Sequence, residues 1–166
     1  MTPPEPDVID AVLGLERSPA TAELRDQRPT LKRLTQTSYA AALRPQEPGN
    51  FSYAMRAALA ARMAGLWKCA ERAAHYRGAL AAEAPGEAET KIADPGWRPA
   101  EAGRTAAILR HVDLVTLSPK QATRADIEAL QAAGLDDRDI VTLAGIIAYV
   151  NYQILVVAGL KMLRDH

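Results

Sequence analysis

The chain has 166 residues, 48% of them hydrophobic but only 5% aromatic, and its twenty basic side chains are balanced by twenty acidic ones. One domain of this length buries about two-thirds of its unfolded surface, and its charge balance gives no long-range pull towards nucleic acid or anionic lipid, which excludes both as expected partners. A single cysteine excludes an internal disulfide and suits a reducing, cytoplasmic setting.

Alanine is abundant and no alternation of β-branched residues persists anywhere, so the chain reads as all-α. The opening MTPPEPDVID is Pro-rich, is expected to be mobile, and has neither the basic region nor the apolar run of a secretory signal. Val8 to Leu15 read as a short amphipathic helix within an N-terminal extension, residues 1–19, and residues 20–166 read as the main helical domain. Pro29 suits the first turn of a second helix, with Leu31, Leu34, Tyr39 and Leu43 at helical spacing. Pro45, Pro48, Gly49 and Asn50 then make a turn.

Ser52 is the expected cap of a third helix, which carries Met55, Leu59, Arg62, Leu66, Cys69, Ala73 and Tyr76 on one stripe. Gly65 is where this helix is expected to loosen, which would bring Cys69 close to a helix start. Residues 83–102, EAPGEAETKIADPGWRPAEA, read as a long mobile connection pinned by Trp97. A fourth helix covers about Gly103 to Val115, and Pro119 closes the following turn.

Thr123 and Asp126 have the spacing of a capping box for a short helix to Ala133, which Gly134 ends. Asp136 caps the last helix, and Asp137 and Asp139 face its positive end. That helix runs to about Leu163 and forms the hydrophobic centre. Ile140 to Leu163 is apolar enough to raise a membrane span. However, Thr142, Asn151, Tyr152, Gln153 and Lys161 fall around its circumference, as in a central or intersubunit helix, and no membrane span is expected.

The chemistry-bearing segment is L-W-K-C-A-E-R-A-A-H-Y, Leu66 to Tyr76. In a helical Cys-x-x-Cys, two thiols reduce a peroxide and close as a disulfide, whereas here the second cysteine position holds Arg72. Arg72 at i+3 would favour a Cys69 thiolate. Seven residues of helix place Tyr76 on the face of Cys69, while six leave His75 about 120° away. The plainer readings are preferred here: Cys69 as a small core hydrophobe, Arg72 as the partner of a carboxylate, and His75 as a solvated surface or interface residue. Tyr39, Tyr53, Tyr149 and Tyr152 are expected in the core with hydrogen-bonded hydroxyls, and Asn151 and Gln153 must find partners if buried. His75, His111 and His166 have no short spacing, so no metal site is expected, and nothing in the sequence implies a cofactor.

Two segments, FSYAMRAALAARMAGLWKCAERAAHYRGAL (51–80) and SPKQATRADIEALQAAGLDDRDIVTLAGIIAYVNYQILVVAGLKML (118–163), resemble the carboxymuconolactone decarboxylase superfamily on its alkylhydroperoxidase D-like (AhpD-like), peroxidase-related branch. The resemblance covers about residues 20–164 and implies an all-α fold that assembles as a homo-oligomer: a dimer, trimer or hexamer. It also implies a first cysteine at Cys69, a second at Arg72, a glutamate twelve residues before the first at Ala57, and a histidine four after the second at Tyr76, with His75 one place early. Three of those four positions depart from the pattern.

The leading expectation is therefore an AhpD-like protein with a degenerate redox centre. Its role would be that of a structural or regulatory partner of an active paralogue carrying the same domain, or of a binder of a small apolar ligand. One alternative is a one-cysteine peroxidase using Cys69, Arg72 and Tyr76. Another is a lactone decarboxylase in which Arg62 or Arg72 holds the substrate carboxylate.

Overall fold

Residues Arg56 to Ala64 are buried without a break, and five of the nine are alanine. Side chains this small let other helices approach from all sides, and this run is the centre of the fold. The computed structural model describes residues 7–165; the Pro-rich opening before Asp7 and His166 lie outside the described residues. Among the described residues there are nine α-helices and no strand. In chain order they are α1 (Val8–Leu13), α2 (Pro19–Asp26), α3 (Pro29–Leu43), α4 (Tyr53–Leu66), α5 (Ala70–Ala82), α6 (Glu87–Ile92), α7 (Arg104–Leu117), α8 (Arg124–Ala132) and α9 (Asp137–Arg164). Helix α4 packs against α3, α5, α6, α7 and α9, and α9 also touches α1, α2, α3, α7 and α8.

The helix ends follow their sequence signals. The Ser52 hydroxyl accepts from the Met55 amide at 3.1 Å, and the Asp136 carboxylate accepts from the Asp139 amide at 2.7 Å. Asp126 accepts from the Thr123 amide at 2.8 Å, and Gly134 ends α8 at φ +85°. Helix α9 is long and apolar enough to cross a membrane by length and composition alone, but 44% of its most apolar window is buried inside the fold.

Two buried guanidiniums act as staples. Arg56 donates to the carbonyls of Phe51, Ala42 and Pro48 at 2.8, 2.7 and 2.9 Å, which fixes the turn before α4. Arg62 has no exposed surface; it grips Asp113 on α7 through Nε and Nη2 at 2.6 and 2.7 Å. Its Nη1 donates to the carbonyls of Ile92, Asp94 and Trp97 at 3.4, 2.6 and 3.2 Å.

Several expectations need correction. Segment 83–102 contains α6, buries Ile92 and Ala93, and is tied to the core by Arg62. Helix α2, not expected above although Ser18 and Pro19 stand at its start, precedes α3. On α3 the buried face is Thr35 and Leu43, while Leu31 and Leu34 are exposed. The break expected near Gly65 comes one residue after it, at Leu66, and the glycine has a second use: a Cβ there would lie 2.9 Å from Pro95 Cγ, so it makes room for the connection packed on it.

The N-terminal part forms a smaller second core in which Val8, Ile9, Leu13 and Leu15 pack with Val157 of α9. Ion pairs hold it down: Arg25 with Asp7 and Asp10 at 2.6 and 2.5 Å, and Lys32 with Asp10 at 2.6 Å. Arg164 near the end of α9 donates to the Leu13 carbonyl at 2.7 Å.

Candidate functional site

The helical stretch expected to loosen near Gly65 is two helices, α4 ending at Leu66 and α5 starting at Ala70, and Cys69 stands at a helix start as that expectation required. The Cys69 amide donates to the Ala64 carbonyl at 2.9 Å and the Lys68 amide to the Gly65 carbonyl at 3.0 Å. This is the Schellman pattern, with Lys68 at φ +55° in the place glycine usually takes. Cys69 is then the N-cap residue of α5, half-buried, with its carbonyl accepting from the Ala73 amide at 2.9 Å. It packs against both hydrophobic cores, including the one built on α1.

Helix α5 turns Arg72, Ala73, Tyr76 and Leu80 inwards. Arg72 and Tyr76 have no exposed surface. Arg72 Nη2 donates to the Tyr76 hydroxyl at 2.5 Å, and the guanidinium carbon lies 4.5 Å from the Tyr76 ring centroid. The Tyr76 hydroxyl donates to Gln153 Oε1 at 3.2 Å, the Gln153 amide donates to the Tyr149 hydroxyl, and that hydroxyl donates to the Thr35 carbonyl at 3.3 Å. Beside this chain, the Tyr39 hydroxyl bonds His75 Nε2 at 3.0 Å, and the His75 ring meets the Tyr76 ring edge-on at 5.2 Å.

The expectation that Arg72 pairs with a carboxylate, within the chain or across an interface, is not met within the chain. Among the described residues no acidic group forms an ion pair with it, and no protein atom accepts from its Nε or Nη1. Its one hydrogen bond goes to Tyr76 and not to Cys69. His75, read as a solvated surface or interface residue, is half-buried and bonded to Tyr39. Burial, helped by the nearby Arg72 charge, pushes its pKa down to about 4, so the ring is neutral at pH 7. Burial likewise raises the Tyr76 hydroxyl against the opposing pull of Arg72, and burial raises Tyr149. Both remain neutral phenols.

The structure thus gathers Cys69, Arg72, His75 and Tyr76 on the first two turns of α5. Tyr39, Tyr149 and Gln153 join them from α3 and α9, and no sequence spacing selected those three for this site. Tyr53 and Tyr152 lie elsewhere, with hydroxyls bonded to the Pro45 carbonyl and to Thr35 Oγ1. Asn151 accepts from Trp67 Nε1 at 2.8 Å. Arg62 is fully engaged by Asp113 and three carbonyls, which leaves it nothing with which to hold a substrate carboxylate. Ala57, at the glutamate position, is a buried alanine of α4.

Comparison with known proteins bears on the fold. No protein-family model matches the chain, and no curated protein is significantly similar to it. Solved structures do match. One is an uncharacterized peroxidase-related protein from Ralstonia eutropha JMP134 described as an alkylhydroperoxidase AhpD core. Its TM-score is 0.66 at 19% identity, over 91% of this chain and 82% of that one. Another is an uncharacterized peroxidase-related protein from Silicibacter sp. TM1040, with a TM-score of 0.66 at 17% identity, over 77% of this chain and 66% of that one. The chain therefore spans slightly less than two-thirds of the length of the Silicibacter protein. It has the all-α fold of the AhpD core.

Proposed function

We propose that this is an AhpD-fold protein whose dithiol centre has been replaced by a buried guanidinium, and that it does not reduce hydroperoxides by a two-cysteine cycle. In such a cycle the first thiolate attacks the peroxide oxygen, becoming a sulfenic acid as the O–O bond breaks and an alcohol leaves. The second thiolate attacks that sulfur, forms the disulfide and releases water. The observation that carries the reading is the occupant of the second position. Arg72 has no electron pair to offer a sulfenic sulfur, and it is turned inwards onto Tyr76. The test is hydroperoxide consumption by the purified protein with a dithiol reductant. We expect no rate above that of buffer; turnover that Cys69→Ser abolishes would overturn the proposal.

The one-cysteine alternative draws support from Cys69 being half-buried at the start of α5. Its thiol would be oxidised once and returned by an external thiol. Sulfenic acid trapping by dimedone under stoichiometric peroxide tests it, and a thiol that reacts only after unfolding excludes it.

The protein's working form in this proposal is a cytoplasmic homo-oligomer joined through α9. Val141, Gly145, Ala148, Tyr152, Leu155, Gly159 and Met162 are exposed at alternating spacings of four and three residues, the seam of a helix pair. A copy laid antiparallel would set the acidic start of α9, Asp136 and Asp137, near Lys161 and Arg164 at its end. Sedimentation should show a dimer or larger, and Leu155→Glu should weaken association by about tenfold or more. A monomeric wild type at high micromolar concentration would remove this part of the reading.

A further inference from the structure

We infer that Arg72 anchors a buried site for a small carboxylate anion, reached past helix α1; this deepens the reading that the dithiol centre has become something else. The argument starts from an unbalanced charge. Three guanidiniums are buried in this fold, and two are answered from within the chain: Arg56 by three carbonyls, and Arg62 by Asp113 and three more. Arg72 is as deeply buried, yet among the described residues its Nε and Nη1 find no acceptor and no carboxylate pairs with it. A buried charge without a partner costs several kcal/mol, so a fold keeps one where a ligand supplies the opposite charge.

No neighbour can supply it. The hydroxyls of Tyr76 and Tyr149 stay protonated in the interior, and the adjacent His75 can only add positive charge. The hydrogen-bond chain from Arg72 through Tyr76, Gln153 and Tyr149 ends on the Thr35 carbonyl. Its donors are therefore committed to one another, and the vacant Nε and Nη1 are left to face a ligand.

The chemistry selects the class. A planar monoanion with two oxygens matches the guanidinium fork and its single charge. Cys69, one turn before Arg72, lies under the small core built on α1. That core is small, four residues of α1 and the turn after it against Val157, so α1 is the element whose displacement admits the ligand.

The test uses the full-length protein titrated with sodium acetate at fixed ionic strength, sodium chloride making up the balance, with neutral acetamide as control. We expect a saturable rise in Tm of a few degrees and a shift of the Arg72 Nε–H resonance, with acetamide inactive. Arg72→Met assigns that resonance by its loss and should abolish the acetate response; Arg72→Lys, which keeps the charge but not the fork, should weaken it at least tenfold. If neither variant folds, the wild-type Arg Nε–H spectrum still decides. An unmoved spectrum, the same response in Arg72→Met, or an equal response to chloride, meaning an adventitious ion only, would overturn the inference. A dithiol peroxidase that binds acetate through Arg72 would sink only the proposed function, and an inactive protein whose Arg72 ignores acetate would sink only this inference.

Discussion

Arg62 and Arg72 stand ten residues apart on consecutive helices, and neither has exposed surface. Around Arg62 every guanidinium nitrogen finds an oxygen, so the side chain welds α4, α7 and the 83–102 segment together. Around Arg72 one nitrogen is used and two are idle. Equal burial therefore hides opposite roles: one arginine holds the fold, and the other is held by it.

The largest expected effect is on the first. Arg62→Met leaves the Asp113 carboxylate, 15% exposed, without its main partner and three carbonyls without a donor. Urea denaturation should show a loss of about 3–5 kcal/mol. Arg72→Met should go the other way, because an apolar side chain removes a buried charge that the chain does not balance. We expect stability unchanged or raised by about 1–2 kcal/mol in acetate-free buffer, and a loss of more than about 2 kcal/mol would erase the contrast.

The pH dependence sharpens the same contrast. His75 has a folded pKa of about 4 against an ordinary value of 6.5, so the unfolded chain takes up its proton first on acidification. Its contribution is complete above pH 6.5 and drains away as pH falls towards 4. Thermal melts of wild type and His75→Asn should therefore converge across that window. Parallel curves would mean that the ring is not held neutral beside Arg72.

The smallest effects lie at two helix ends with one geometry. At Gly134 and Lys68 the chain leaves a helix through the same pair of hydrogen bonds with positive φ. Gly134→Ala should cost about 1 kcal/mol, and Lys68→Gly should gain about 0.5 kcal/mol. Differential scanning calorimetry resolves both.

That pair also explains what could be read from the sequence. The end of α8 was legible because glycine stands where the backbone needs it. The end of α4 was legible only to within a residue or two: Gly65 marked the neighbourhood, but a lysine fills the left-handed place itself and Gly65 also serves a contact with Pro95. The caps at Ser52, Thr123 and Asp136 act locally and were readable for that reason. The site was half legible. Cys69, Arg72, His75 and Tyr76 are close in sequence, whereas Gln153 and Tyr149 reach Tyr76 across 77 and 73 positions and no local pattern marks them. The missing carboxylate for Arg72 was beyond reach, since an unanswered charge becomes visible only once all its neighbours are known.

Helix α9 carries a consequence for how the molecule comes into being. It touches α1, α2, α3, α4, α7 and α8, and it supplies the Gln153 and Tyr149 that complete the cluster around Arg72. A ribosome makes all of those helices before it makes α9, at about 5–20 residues per second. Until residues 137–164 emerge, α4 already has α3, α5, α6 and α7 as neighbours, but the faces that α9 covers are open and the small core on α1 lacks Val157. The nascent chain therefore spends a few seconds with the apolar surface that α9 covers exposed, and the cluster around Arg72 is completed last.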